Sequence, residues 1–267
     1  MNEFDKAQTI FYDRIDTNDY FDSFSAESAK RKLFEVLNSE DIHLTFLIGD
    51  SGVGKTFMLS FIKEKLKKRK NIIFFKDPLF TKEEFFKTLI YKRGEVNENA
   101  NIHYGELKQK VLKLYQNVDN AIFIDEAQLL TEEQLEMIRI LSDTKVFRFV
   151  LSMHHKERKK VLKSEYFKNR THINITLEHL ADSEVQRYIQ NKLLNNSLGE
   201  ISSLFESHHF EMISKLTKRN FRMIKRFMST LFELLSYAKD NNLKQYHQIN
   251  KKILTMTAID IGLINVK

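Results

Sequence analysis

The sequence predicts an α/β fold: a five-stranded parallel sheet covered by helices, followed by a small all-helical domain. Three observations predict it. Short apolar runs of strand length alternate with amphipathic segments of helix length up to residue 177, the pattern of parallel strands joined by crossover helices. After residue 177 every periodic segment has helical period. The 267 residues hold only 7 Gly and 1 Pro, too few for the turns of a β-sandwich or barrel. The chain is 42% hydrophobic, and that apolar content offsets ordering entropy, which excludes a disordered chain.

The elements follow in order. Residues 1–24 are polar and aromatic without clear period. Ser25 is placed to cap a helix running to about Leu37. His43–Ile48 is a buried strand ending at Gly49, and a helix follows from Lys55 to about Arg69. Ile72–Phe75 is a second strand, closed by Pro78. Thr81-Lys82-Glu83-Glu84 is a capping box that opens the next helix. Residues 94–103 read as a loop, and Tyr104–Gln116 as a helix. Ala121–Ile124 is the third strand, with a helix over Thr131–Leu141 behind it. Val146–Leu151 and Ile173–Leu177 complete the sheet. The remaining helices span about Asp182–Asn195, His208–Leu216, Phe221–Tyr237 and Asn250–Ile261. The expected domains are 1–177 and 178–267.

The totals narrow the chemistry. There is no cysteine, which removes disulfides, thiolate metal sites and cysteine nucleophiles. The first residues, Met1-Asn2-Glu3-Phe4-Asp5, lead to the expectation of no signal peptide, and no stretch of about 18 apolar residues is present. The expected location is therefore cytoplasmic. The net charge of +7 is mild. Two basic clusters stand out, Lys63–Lys70 and Lys215–Arg226.

Three of the seven glycines fall within six residues. Gly49-Asp50-Ser51-Gly52-Val53-Gly54-Lys55-Thr56 is G-x-x-x-x-G-K-T, the Walker A pattern, between an apolar strand and an amphipathic helix that continues through Phe57. Glycines permit backbone conformations closed to other residues, so successive N–H groups can wrap a polyphosphate. The helix N-terminus adds positive potential. Lys55 is placed for the β- and γ-phosphates of ATP, and the Thr56 hydroxyl for Mg²⁺. At the end of the third strand stand Asp125 and Glu126. Ligands in open α/β sheets bind outside the carboxyl ends of strands. Asp125 is thus the expected Walker B aspartate for Mg²⁺, and Glu126 the acceptor that polarises the attacking water.

Walker A together with Ile124-Asp125-Glu126-Ala127-Gln128-Leu129-Leu130 resembles the AAA+ P-loop ATPases of the ExeA/GspA and MshM type, which serve type II secretion, type IV pilus and DNA-uptake machines. The TniB/TnsC transposition ATPases share the pattern. Tyr20–Lys32 sits where this group has its leading Tyr…Glu-Ala helix, and Ala181–Ile189 is similar to its opening lid helix.

The resemblance implies further roles. Arg170, before the fifth strand, matches the arginine finger that acts on a neighbour's site. Arg222, in Arg219-Asn220-Phe221-Arg222-Met223-Ile224-Lys225, matches the sensor 2 arginine of the lid. His154, with Ser152 as the alternative, stands in the sensor 1 region. The expectation is an oligomeric, Mg-dependent ATP hydrolase working with a partner machine, at the inner face of the membrane through that partner. Two alternatives stand beside it: a DNA-binding ATPase of transposition, and a nucleotide-gated scaffold with little turnover. The chain resembles the short MshM form, which lacks the membrane helix of longer ExeA-type proteins.

Overall fold

The computed structural model describes residues 2–95, 103–158, 161, 171–246 and 248–264. In chain order its elements are α1 (Glu3–Ile10), α2 (Phe24–Asn38), β1 (Leu44–Gly49), α3 (Lys55–Leu66), β2 (Asn71–Phe75), α4 (Lys82–Lys92), α5 (Tyr104–Tyr115), β3 (Asn120–Ile124), α6 (Glu132–Asp143), β4 (Phe147–His154), β5 (Ile173–Thr176), α7 (Asp182–Leu194), α8 (Gly199–Ser203), α9 (Ser207–Thr217), α10 (Phe221–Asp240) and α11 (Lys251–Asp260). The chain forms two compact units. One comprises Ala26–Ser51 and Lys55–Leu177; the other comprises Met1–Ser25, Gly52–Gly54 and Glu178–Lys267.

The first unit is the predicted sheet. Its five strands are all parallel, in the order β2-β3-β4-β1-β5. Every residue of β1 and of β3 is buried, which is why both read as mainly apolar runs rather than alternating ones. One face of the sheet presents Phe46, Ile48, Ile122, Ile124, Phe149 and Leu151 to a core shared with α4, α5 and α6. The α5 contribution is a stripe at i, i+4 and i+8, Leu107, Val111 and Tyr115, so one helix face covers the strands. Thr81 and Thr131 each close a capping box, with Glu84 and Gln134, and so satisfy backbone donors at the starts of α4 and α6. Each such cap contributes about 1 kcal/mol.

The strand order sets up the site. β4 lies between β3 and β1, so the ends of these three strands are adjacent. Gly49 and His154 pair directly in register, as do Ile124 and Leu151. The sequence ends the fourth strand at Leu151; in the structure it continues to His154, because Ser152 and Met153 are buried and keep pairing with Leu47 and Ile48. α3 stops at Leu66 rather than Arg69.

The second unit is helical. Its core gathers Val185, Tyr188 and Ile189 of α7 with Ile224, Phe227, Leu231 and Phe232 of α10. Residues 1–24, read as aperiodic, contain a helix. α1 is closed by an Asn2–Asp5 capping box and buries Phe4, Ala7 and Ile10. Phe4 and Phe11 lie 6.3 and 5.8 Å from Phe232, ring centre to ring centre. The first residues thus make their contacts with the helical unit, whereas the sequence reading grouped them with the sheet. Ser25 is not a cap: α2 starts one residue earlier, and the Ser25 hydroxyl accepts from the Glu178 N–H at 2.8 Å. The short α8 has too few residues to show a helical period in the sequence.

Candidate nucleotide-binding site

The loop after β1 has the backbone its glycines permit. Gly52 has φ +80° and Gly54 has φ +106°, values that residues with a side chain rarely adopt. Val53 is buried, while Asp50 and Ser51 are exposed. Lys55 opens α3 and is buried. Its ammonium donates to the Gly49 carbonyl at 2.9 Å and to the Asp50 carbonyl at 3.0 Å, so the charge is held against the loop backbone. One residue on, the Thr56 hydroxyl donates to Oδ2 of Asp125. Phe57 is half-buried, and its ring stacks 6.4 Å from that of Phe61, anchoring the first turn of α3.

Asp125 is the residue after β3. It is 2% exposed, and its own N–H donates to the Phe75 carbonyl at 2.9 Å, continuing the β2–β3 ladder by one residue. Its second oxygen accepts from the Glu126 N–H at 3.0 Å. A buried carboxylate is tolerated here because both oxygens are hydrogen-bonded. The Thr56 hydroxyl and the Asp125 carboxylate are hard oxygen donors in contact, the donor chemistry that Mg²⁺ takes. With the glycine loop and the Lys55 ammonium beside them, the residues present fit a Mg–nucleotide pair.

Glu126 breaks the strand. It sits at φ 51°, ψ 37°, the left-handed region that costs an ordinary residue about 1–3 kcal/mol. The consequence is a sharp turn that brings the carboxylate back toward the end of β4. There Oε2 accepts from the Gln128 side-chain amide, and it lies 3.1 Å from Nε2 of His154. Gln128 also accepts the His154 N–H on its own oxygen, at 3.4 Å. Gln128 therefore ties Glu126 to the last residue of β4.

The other predicted residues fall as follows. Ser152 is fully buried in β4, and its hydroxyl has no hydrogen-bond partner among the described residues; His154 is the residue that reaches Glu126. Arg222 is the second residue of α10, in the helical unit, with Nε 3.1 Å from Oδ2 of Asp13. Arg170 lies outside the described residues. The structure thus brings Lys55, Thr56, Asp125, Glu126 and His154 to one end of the sheet. In the sequence Gln128 is only one residue of a motif; its part in holding Glu126 becomes visible only with the turn at Glu126. Among the described residues no cluster of three or more His, Cys, Asp and Glu side chains forms a metal site. Nor is any described helix long and apolar enough to cross a membrane.

Comparison with known proteins bears on the fold. Residues 40–162 match the model of the AAA domain family. No curated protein sequence matches the chain. Among solved structures, the chain is similar to the Aeropyrum pernix ORC1 protein in complex with DNA, at 12% identity and a TM-score of 0.67, over 96% of this chain and 69% of that one. It is also similar to the Thermotoga maritima RuvB Holliday junction branch migration motor, at 20% identity and a TM-score of 0.55, over 86% and 67%. Pyrobaculum aerophilum Cdc6p is similar at 15% identity and a TM-score of 0.59, over 88% and 66%. At these identities the likeness speaks for the fold. The chain has the P-loop AAA+ fold, and residues 40–162, which hold the whole phosphate loop and both strand-end carboxylates, match an AAA domain.

Proposed function

We propose that this chain binds ATP with Mg²⁺ and hydrolyses it. The observation that carries the reading is the contact of Thr56 with Asp125, one residue before a carboxylate turned back by its own backbone. When bound, Mg²⁺ and the triphosphate supply an electrophilic phosphorus with its charge partly neutralised. The chain's own residues do the rest. The N–H groups of residues 49–56 and the start of α3 hold the phosphates. Lys55 exchanges its two carbonyl contacts for phosphate oxygens. Thr56 and Asp125 would hold the metal, whose charge would favour the phosphoryl transfer. Glu126 accepts the proton of the attacking water, and Gln128 and His154 fix where that carboxylate stands.

Turnover takes place in an oligomer, where Arg170 of one copy completes the site of the next and Arg222 reports the nucleotide to the helical unit. The work done is the assembly or energising of a secretion, pilus or DNA-uptake machine, at the cytoplasmic face of the membrane through a protein partner. The resemblance in residues 124–130 supports this reading. A second reading, a DNA-binding ATPase of the transposition type, is favoured by the basic residues at the end of α3.

The test is ATP turnover per chain against protein concentration, for the natural chain and for Arg170→Ala. The expected result is turnover that rises with concentration and is lost in Arg170→Ala, with ATP binding retained. Turnover independent of concentration and untouched by Arg170→Ala contradicts the oligomer mechanism.

A further inference from the structure

The sheet unit carries a second concave site, away from the phosphate loop. A cleft of about 410 Å³ is lined by Lys63, Lys67, Lys68, Arg69, Lys70 and Arg93, beside Asn71 and Ile72. Among these described lining residues there is no carboxylate. The cations come from different elements: the last turn of α3, the turn after it, and the residue that caps α4. α3 starts at Lys55 and runs for 12 residues, so the cleft lies at its far end, about 18 Å along the helix from the phosphate loop.

Helix stability accounts for part of this charge. Cations in a last turn are favoured by the helix dipole, which explains Lys63 and Lys65. It does not explain why α4 brings Arg93 to the same cleft. Lys67 is paired with Glu64, and Lys70 with Asp119. Among the described residues, Lys63, Lys68, Arg69 and Arg93 have no carboxylate within ion-pair distance. Burial, and then the charges of Lys92 and Lys76 outside the lining, push the Lys63 ammonium below its usual range. Like charges gathered without counter-charge oppose folding, and an anion held between them relieves that opposition.

We propose that this cleft binds the phosphate backbone of duplex nucleic acid. The proposal deepens the second reading above by placing the contact, and it does not depend on ATP turnover. Phosphate oxygens need cations in reach and little else, and the cleft supplies four unpaired ones from three places along the chain. An anionic membrane surface fits less well. Membrane binding adds exposed apolar side chains to the cations, and Ile72, the apolar lining residue, is buried. An acidic protein partner needs a pocket for an apolar or aromatic anchor, which the lining does not offer.

The experiment is anisotropy of a labelled duplex DNA titrated with the full chain without nucleotide, at about 50 and about 200 mM salt. The natural chain is expected to bind, and to lose about tenfold or more in affinity between the two salts. K68E/R69E is expected to bind about tenfold or more weakly at the lower salt, with a salt slope shallower by about two. R93A, a milder change in a different element, is expected to weaken binding about threefold. Binding of a fluorescent ADP, unchanged in both variants, shows that they fold. It also separates the readings: ADP binding without DNA binding overturns the cleft, and DNA binding without ADP binding overturns the nucleotide site. DNA binding equal in all three chains overturns the proposal. So does binding to phosphatidylserine vesicles, lost in the variants, with no binding to DNA.

Discussion

Nε2 of His154 stands 3.1 Å from Oε2 of Glu126, and the same oxygen accepts a hydrogen bond from Gln128. The carboxylate proposed to meet the attacking water is therefore held from two sides, by the end of the neighbouring strand and by its own 3-10 turn, Ala127–Leu129. Its left-handed backbone makes the hold necessary, because that turn aims the side chain without clamping it.

Gln128 is thus a positioning residue. Misplacing a catalytic group by about 1 Å costs up to about 100-fold in rate. Gln128→Ala is expected to lower kcat by about 10- to 100-fold while the affinity for ATP stays within about twofold. Steady-state turnover alongside equilibrium nucleotide binding reads both. An equal loss in both quantities points to a damaged fold instead.

Gly54 has a backbone angle, φ +106°, that a β-branched residue cannot adopt without strain. Gly54→Val is expected to keep the helical content of the chain and lose nucleotide binding by about 100-fold or more. Circular dichroism and fluorescent-nucleotide titration check the two halves separately.

The Thr56 hydroxyl occupies Oδ2 of the buried Asp125. Thr56→Val leaves that oxygen without its donor and removes the proposed metal ligand. The Mg²⁺ concentration needed for half-maximal turnover is expected to rise about tenfold or more. Thr56→Ser, which keeps the hydroxyl, is expected to stay near the natural value.

Burial pushes the Tyr115 hydroxyl up to about 12, against the opposing effects of Arg93 and Asn71. It donates to the Leu89 carbonyl at 2.8 Å, so α5 is tied to α4 by a neutral phenol. The unfolded chain gives up this proton near 10, the folded chain only near 12. The contribution is therefore intact below about pH 10 and is lost as pH rises from there through about 12. Tyr115→Phe is expected to flatten that part of the alkaline stability curve, measured by urea unfolding at stepped pH.

The sheet was legible because parallel strands buried on both faces leave short apolar runs, such as Phe46–Ile48 and Ala121–Ile124. The phosphate loop was legible because its chemistry fixes both residue type and spacing. What stayed hidden had no local period. α1 is eight residues long, with three buried side chains among polar ones, and only the Asn2–Asp5 cap announced it. The hold on Glu126 depends on a positive φ at a residue other than glycine, and on β4 running three residues further than its apolar run. Neither is written in the residues around Glu126. The basic cleft was half legible: Lys63–Lys70 stood out in sequence, but Arg93 reaches it only through the packing of α4.

The central claim is that Glu126 activates water at a Mg–ATP site built by Lys55, Thr56 and Asp125. Glu126→Gln replaces one carboxylate oxygen with an amide NH2, which removes the charge and the base and keeps the size. Single-turnover hydrolysis of bound ATP, with nucleotide retention measured on the same samples, tests it most directly. The expected result is tight retention of unhydrolysed ATP, with the rate of the chemical step lowered by about 100-fold or more. Hydrolysis at the natural rate in Glu126→Gln contradicts the claim.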